Sequence, residues 1–260
     1  ELSMIRKILF STKIAAIALA FTPAIGNSQS GQQAIEEIEV FANSRRSEGL
    51  TSVNAAVSVL DEEELGLILH THYQEALSRV PGFSGNRNNG QESLMALRSP
   101  VLTGAGACGA FLIAENGIPV RSAGFCNVNE MFDTHSEYAQ SIEVIRGPAS
   151  SFWGSNALHG LVNVRLPQPG EIGEISLEQG PRGSYRAKTA IGSDSGNFKQ
   201  SLYFTGISEE GYRDDSGVDQ QKASWLYEYT LANGIQMEGG FTYNNLNQET
   251  AGYVAGTKAY

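Results

Sequence analysis

From Tyr185 onward the chain alternates apolar and polar side chains over long stretches. Tyr185, Ala187, Thr189 and Ile191 share one face of an extended segment, with Arg186 and Lys188 on the other. Phe198, Leu202 and Phe204 alternate with Lys199 and Ser201, and Ala223, Trp225, Tyr227, Tyr229 and Leu231 alternate with Ser224, Glu228 and Thr230. Ile235, Met237, Phe241 and Tyr243 do the same against Gln236, Glu238, Thr242 and Asn244. Period two predicts strands with one apolar and one polar face. The segments run about nine to fourteen residues, longer than the five or six of a sandwich strand and long enough to cross a bilayer at a tilt. The pattern therefore predicts antiparallel strands of a transmembrane β-barrel, a soluble β-sandwich being the alternative. Tyr185, Tyr203, Trp225, Tyr227, Tyr229 and Tyr243 are expected at the interfacial aromatic girdles. Four or five strands cannot close, and an open edge in lipid leaves backbone groups unpaired, so the wall is expected to continue beyond Tyr260.

Upstream, residues 53–166 mix short strands and helices. Ala56–Leu60 reads as a strand, followed by Asp61 as an N-cap with Glu62, Glu63 and Glu64 in the first turn. A helix is predicted over Tyr73–Arg79 and stopped by Pro81-Gly82. Ser93–Arg98, Ile142–Arg146 and Gly160–Val164 read as strands, and Phe111–Glu115 and Ile118–Val120 as a hairpin about Asn116-Gly117. The expected fold is a small α+β domain followed, over residues 167–260, by the first antiparallel strands of an incomplete barrel. Pro167-Gln168-Pro169-Gly170 marks the change between them.

The first 26 residues have the three parts of a secretory signal peptide: Arg6, Lys7 and Lys13, a short apolar run Ile14–Phe21, and small residues up to Ala24-Ile25-Gly26. That run is too short to span a membrane as a helix. Glu1-Leu2-Ser3 stands before the first Met, as in a translated fragment. Residues 27–52 are expected to be a mobile N-terminus containing a short β-prone stretch, Glu37-Ile38-Glu39-Val40-Phe41. This stretch reads either as a docking peptide or as a leading strand of the next domain.

Charge and chemistry narrow the picture further. A formal net charge of −10 and no cluster of Lys and Arg argue against nucleic-acid binding. Cys108 and Cys126 bracket the Asn116-Gly117 hairpin and follow an export signal, so a disulfide is expected, with free thiols as the alternative. Such a bond would close a loop of about nineteen residues, worth roughly 3 kcal/mol in the chain-entropy picture. No metal set or cofactor is expected, since two thiols lack further ligands at suitable spacing. His70 and His72 could chelate a metal only on an extended stretch, and Asp133 with His135 is a similarly weak suggestion; the favoured reading is solvated loop histidines, with Arg79, Arg87 and Arg98 as ordinary charges that could meet an anionic ligand. No hydrolase, zinc-protease or phosphate-loop pattern is present, and the chain is not expected to be an enzyme.

Several segments together resemble the TonB-dependent outer-membrane receptors, in which a plug domain sits inside a large barrel. Glu75–Phe83, carrying Arg79, Pro81 and Gly82, is similar to the plug's L-x-x-V-P-G-V segment. Leu94–Arg98 is similar to the strand ending x-I-R-G, with Ser99 in place of Gly. The hairpin matches V-x-x-D-G-V-P with Asn116 for Asp before Gly117. The most specific match is Ile142–Val164, which follows I-E-V-x-R-G-P-x-S-x-x-Y-G-x-x-A-x-G-G-x-I-N-I through Glu143, Arg146, Gly147, Pro148, Gly154, Gly160 and Asn163. Trp153 and His159 replace the common Tyr and Gly.

The resemblance implies a plug over residues 53–166 and energy-coupled uptake of a scarce ligand, whether siderophore, haem, cobalamin, metal chelate or glycan. It also implies outer-membrane lipid around the wall and a TonB-type energy-transducing protein of the inner membrane as partner. Glu37, Ile38, Glu39, Val40 and Phe41 resemble the TonB box, whose recognition by β-augmentation makes little demand on side-chain identity. A secreted α+β enzyme and an adhesion or signalling receptor are the alternatives. A signalling receptor would carry a further N-terminal domain, for which the ten or so residues after Gly26 leave no room.

Overall fold

A computed structural model of the chain describes residues 38–87, 90–99, 111–120, 130–211 and 214–249. The signal-peptide segment, Glu37 and both cysteines lie outside the described residues. The first elements are a ribbon of β1 (Glu39–Val40) and β2 (Glu48–Gly49), then β3 (Val57–Asp61), α1 (Glu62–Ile68) and α2 (Tyr73–Leu77). β4 (Phe83–Arg87) and β5 (Ser93–Leu97) pair with each other, and β6 (Phe111–Glu115) turns into β7 (Ile118–Pro119). β8 (Ser141–Ile145), α3 (Ser150–Trp153) and β9 (Gly160–Arg165) complete the first domain. Asp61 caps α1 as its sequence position predicts, accepting from the Glu64 N–H at 2.9 Å.

Five of these strands form one sheet in the order β3-β8-β9-β6-β7, with β6 and β9 parallel and the other pairs antiparallel, while β1-β2 and β4-β5 are separate two-stranded ribbons. Both faces are covered, which is why β8 and β9 read as nearly continuous apolar runs. One face carries Ile113, Ile142, Val144 and Val162 and packs on Leu65 of α1, Ala76 and Leu77 of α2, and Met95 and Leu97 of β5. The other carries Leu112, Ala114, Ile145 and Leu161 and packs on Trp153, Ala157 and the N-terminal Val40 and Ala42. Residues 38–52, expected within a mobile N-terminus, are thus a layer of the first domain: Val40 and Ala42 are both fully buried. The apolar side chains of this stretch cover a sheet face that would otherwise be exposed.

The hairpin turn has Asn116 at φ 48° and Gly117 at φ 77°, the left-handed pair that a tight two-residue connection demands. Gly117 also lies so close to Phe41 that an added Cβ would stand 2.8 Å from that ring. Gly117→Ala is therefore expected to lose about 1–3 kcal/mol from combined backbone strain and overpacking. At Gly196 φ is similarly positive but no atom lies within 4 Å of an added Cβ, so Gly196→Ala should lose only the strain component. Equal losses in chemical denaturation would contradict the Phe41 contact.

The second half is a five-stranded antiparallel meander: β10 (Gly173–Gln179), β11 (Tyr185–Asp194), β12 (Phe198–Glu209), β13 (Val218–Thr230) and β14 (Gln236–Gln248). Its alternation is inside-out relative to a soluble sheet. Ile191, Leu202, Trp225 and Phe241 lie side by side across four strands, and all are at least 40% exposed. The opposite face buries Arg186, Ser201, Thr205, Gln220, Lys222 and Ser224 against the first domain. Apolar outside and polar inside is the arrangement that lipid selects and water rejects. One girdle assignment is corrected: Tyr203 belongs to the inner face, is 1% exposed, and packs on Tyr138 with ring centroids 5.0 Å apart. It shares the phase of Ser201 and Thr205 rather than that of Leu202 and Phe204.

Candidate functional site

Two places gather the polar chemistry: the seam between the first domain and the sheet, and a clasp over the N-terminal segment. The seam centres on two short 3-10 turns, Glu130–Asp133 and Ser136–Tyr138, and the link between them; groups of residues 132–137 meet the inner faces of β12 to β14. The Lys222 ammonium donates to both carboxylate oxygens of Glu137, at 2.9 and 3.0 Å, and to the Thr134 carbonyl at 2.7 Å. The pair is 3% and 4% exposed. Burial alone would push the Glu137 carboxyl up, but Lys222 beside it holds it down at about 2. His135 joins Ser224 at 2.7 Å through Nδ1 and Thr205 at 2.8 Å through Nε2, and its backbone N–H donates to Glu115. The Thr242 hydroxyl donates to the other Glu115 oxygen at 2.6 Å. Burial pushes Glu115 up, and these two hydrogen bonds oppose it. Farther along, Gln220 donates to the Phe132 carbonyl and Asn244 to Asp133.

On β11, the Arg186 guanidinium reaches the carbonyls of His70 at 2.7 Å and Leu69 at 3.1 Å while paired with Glu178. It fixes a backbone that Leu69, at φ 47°, takes through the left-handed region. The expectation of solvated histidines is overturned: His70, His72 and His135 are 5%, 0% and 0% exposed. The covering groups of His135 lie 70 and 89 positions away in the chain, beyond any local pattern. Burial depresses His72 and His135 to about 4, and it lowers His70 as well.

The clasp is built from the motif segments. Glu143 and Asn163 face each other across β8 and β9 on the sheet face that Val40 and Ala42 cover. The Glu143 carboxylate accepts from the Phe41 N–H at 3.0 Å, the Ala42 N–H at 2.8 Å and the Asn163 amide at 3.1 Å. Asn163 in turn accepts from the Gly117 N–H at 2.9 Å, and the Trp153 indole N–H donates to the Ala42 carbonyl at 2.7 Å. Arg165 lies over the Phe41 ring and Arg45 over Trp153. Within Ile38–Phe41, Ile38 is 41% exposed, whereas Val40 is sealed and Glu39 and Val40 pair with Gly49 and Glu48.

The remaining motif residues serve turns and joints. Gly82, at φ 84°, follows Pro81 into β4, just after Arg79 closes the turn that ends α2. Arg98, at φ 50°, returns to Gly82 through its N–H, and its guanidinium reaches the Arg146 carbonyl at 2.8 Å. Arg98 and Arg146 are thereby brought together, whereas Arg87 is occupied by Glu75. Gly147 and Pro148 lead out of β8, and Gly154, at φ 81°, ends α3. At Gly160 an added Cβ would stand 2.2 Å from the Ile145 carbonyl, so only glycine lets β9 start beside β8. The roles of Glu143 and Asn163 had no sequence signal beyond their motif positions, because most of their partners are backbone N–H groups.

A sheet domain seated by polar contacts on the inner face of an outward-apolar meander defines the fold class: a plug domain on the first strands of a barrel wall. Residues 50–161 match the family described as the TonB-dependent Receptor Plug Domain. The pesticin receptor of Yersinia enterocolitica is 26% identical over 202 residues, which cover 76% of this chain and 28% of the relative. The vitamin B12 transporter BtuB of Photobacterium profundum is 26% identical over 187 residues, 69% of this chain and 29% of the relative. Among solved structures, the pyoverdine receptor FpvA of Pseudomonas aeruginosa superposes with a TM-score of 0.66 at 14% identity, covering 80% of this chain and 30% of that one. The ferric citrate transporter FecA superposes at 0.65 and 17% identity, covering 84% of this chain and 35% of that one. Residues 50–161 carry the plug domain of the TonB-dependent receptors, and the fold is a plug domain followed by antiparallel strands resembling the first of the barrel. It spans less than a third of the length of the curated relatives it matches. Family and fold are those of transport receptors rather than enzymes.

Proposed function

We propose that the chain supplies the gate and the first wall strands of a receptor that takes up a scarce ligand across the bacterial outer membrane with energy delivered from the inner membrane. The observation that carries this reading is the nesting of a plug domain against the polar face of a sheet whose other face is apolar. Ligand bound from outside would be released inward when the plug rearranges, and no covalent step is asked of any residue. The relatives are named for pesticin and for vitamin B12, and the solved neighbours for pyoverdine and ferric citrate. The ligand class for this chain is accordingly a siderophore, haem, cobalamin, metal chelate or glycan.

In this reading the export signal is removed, the plug faces the periplasm at its N-terminal end, and lipid surrounds the outer face of β10 to β14. A bond between Cys108 and Cys126 would brace a plug loop. The partner is a TonB-type protein that pairs with residues around Glu37–Phe41 as an added strand. Val40 and Phe41 are engaged by β2 and Glu143, so full pairing of that stretch requires it to leave the clasp.

The test is uptake of ferric siderophores and labelled cobalamin by cells expressing the full reading frame, with and without an uncoupler. Uncoupler-sensitive accumulation of one ligand class is the expected result, and accumulation that ignores the uncoupler would remove the energy-coupled reading. Deleting residues 36–42 should abolish capture of the receptor by the periplasmic domain of a TonB-type protein. Undiminished capture would move the box elsewhere in the chain.

A further inference from the structure

The clasp over the N-terminal segment has an arrangement that chain connectivity alone does not require. Between Ala42 and β3 lie residues 43–56, so a pull on the N-terminal end transmitted only along the chain would arrive at β3. That strand is at the sheet edge and pairs with β8 alone. An edge strand loaded from its end peels away one pair at a time, and the remainder of the sheet bears little of the force. Glu143 offers a different path. It is 2% exposed, it projects from β8 in the interior of the sheet, and it holds the Phe41 and Ala42 N–H groups directly.

The bonding is of the strong kind. A carboxylate accepting backbone N–H groups makes charge-assisted hydrogen bonds, roughly twice as strong as neutral ones. Among the described residues its hydrogen-bond partners are neutral donors, two from the N-terminal segment and the third Asn163, so in the closed plug most of its compensation comes from that segment. Asn163 extends the grip to β9 and, through the Gly117 N–H, to the hairpin turn. Removing the segment would open Glu143 to water, which can replace the lost donors. The clasp therefore has a closed state bonded to backbone and an open state bonded to solvent.

We propose that Glu143 is the residue through which traction on the N-terminal segment enters the plug, loading the interior strand β8 before the edge strand β3. The proposal rests on the reading that a partner pulls on this segment, and it assigns Glu143 the part of a positioning residue for that movement. The wall seam lies close by: residues 138–140 alone separate Glu137, anchored by Lys222, from β8. Load entering at Glu143 is thus applied beside a fixed point, so strain concentrates in β8 rather than spreading over the domain.

The experiment is single-molecule pulling on the receptor, expressed from its full reading frame and held in outer-membrane patches, by a tag placed before residue 38. Two of the four hydrogen bonds made by the Phe41 and Ala42 backbone groups end on this carboxylate, the others coming from Arg45 and Trp153, so Glu143→Gln is expected to lower the first rupture force by about half. Later ruptures, which report the sheet itself, should keep their wild-type forces. Ala42→Pro removes one of the same bonds without touching β8 and should shift the same event in the same direction, which covers the case of a Glu143 variant that fails to assemble. An unchanged first rupture, or a uniform fall of all ruptures as in a generally softened plug, would overturn the proposal. Capture by a TonB-type protein is measured separately. A receptor with the expected rupture pattern and no capture would retire the uptake reading, whereas capture with an unchanged first rupture would retire the Glu143 path alone.

Discussion

Replacing Lys222 with Met should destabilise the plug against the wall by about 3–5 kcal/mol, because it leaves a buried carboxylate without its cation. The magnitude follows from the environment of Glu137. Its side chain is 4% exposed, and both its oxygens accept from the Lys222 ammonium. Methionine keeps most of the aliphatic stem but none of the three donated bonds, so the Thr134 carbonyl loses its partner as well. With Lys222 gone, desolvation of the carboxyl is unopposed by its main counter-charge, and the group should take up a proton well above its present value of about 2. Neutralisation limits the loss, so the K222M defect should shrink as pH falls. The double variant K222M/E137Q removes the orphaned charge and should recover most of the difference, a coupling that a double-mutant cycle in denaturant reads directly. If the double variant were as unstable as K222M, the ion pair would not be what holds the seam.

Much of this architecture was legible because period two is a local property. The inside-out sheet could be anticipated from the phase of Leu202, Trp225 and Phe241 against Ser201, Ser224 and Thr242. The left-handed turn at Asn116-Gly117 and the Asp61 cap likewise follow from single residues and their neighbours. Tyr203 has the identity of a girdle residue but the phase of Ser201 and Thr205, and phase decides its face. β4 and β10 escaped notice for a related reason. Phe83–Arg87 is mostly polar, and Gly173–Gln179 has only two apolar positions at which to show alternation.

The functional joints were harder to see, for physical rather than statistical reasons. An acidic residue in β8 looks like a solvated position until Val40 and Ala42 cover it, and its donors are backbone N–H groups that every residue but proline carries. His135 is covered by wall strands far along the chain and His70 meets Ser136, tertiary contacts that no window of neighbouring residues reports. The N-terminal segment was read as mobile because it is short and polar at its start. Its fixing depends on a few apolar side chains filling one layer of the sheet domain.

Those buried histidines make the plug acid-sensitive in a defined window. His72 and His135 sit near 4 in the folded protein, because burial disfavours the imidazolium, against an ordinary value near 6.5 once unfolded. For His135 the nearby Glu137 works against the shift, while Lys222 and Lys188 reinforce it. Between those values the unfolded chain binds more protons than the folded one, so stability increases with pH there. The contribution is fully present above about 6.5 and is lost as pH falls toward 4, at most roughly 3 kcal/mol for each of the two groups. His70, lowered in the same direction, adds to the loss. Glu137 acts in a lower window: its stabilisation is complete above the ordinary carboxylate value and is lost progressively as pH falls from there to about 2. A fall in plug stability between pH 7 and pH 5 therefore belongs to the histidines. His135→Gln keeps groups able to bond Ser224 and Thr205 but cannot titrate, so it should flatten the slope of unfolding free energy against pH by close to the share of one proton. The same slope in wild type and variant would show that His135 does not contribute.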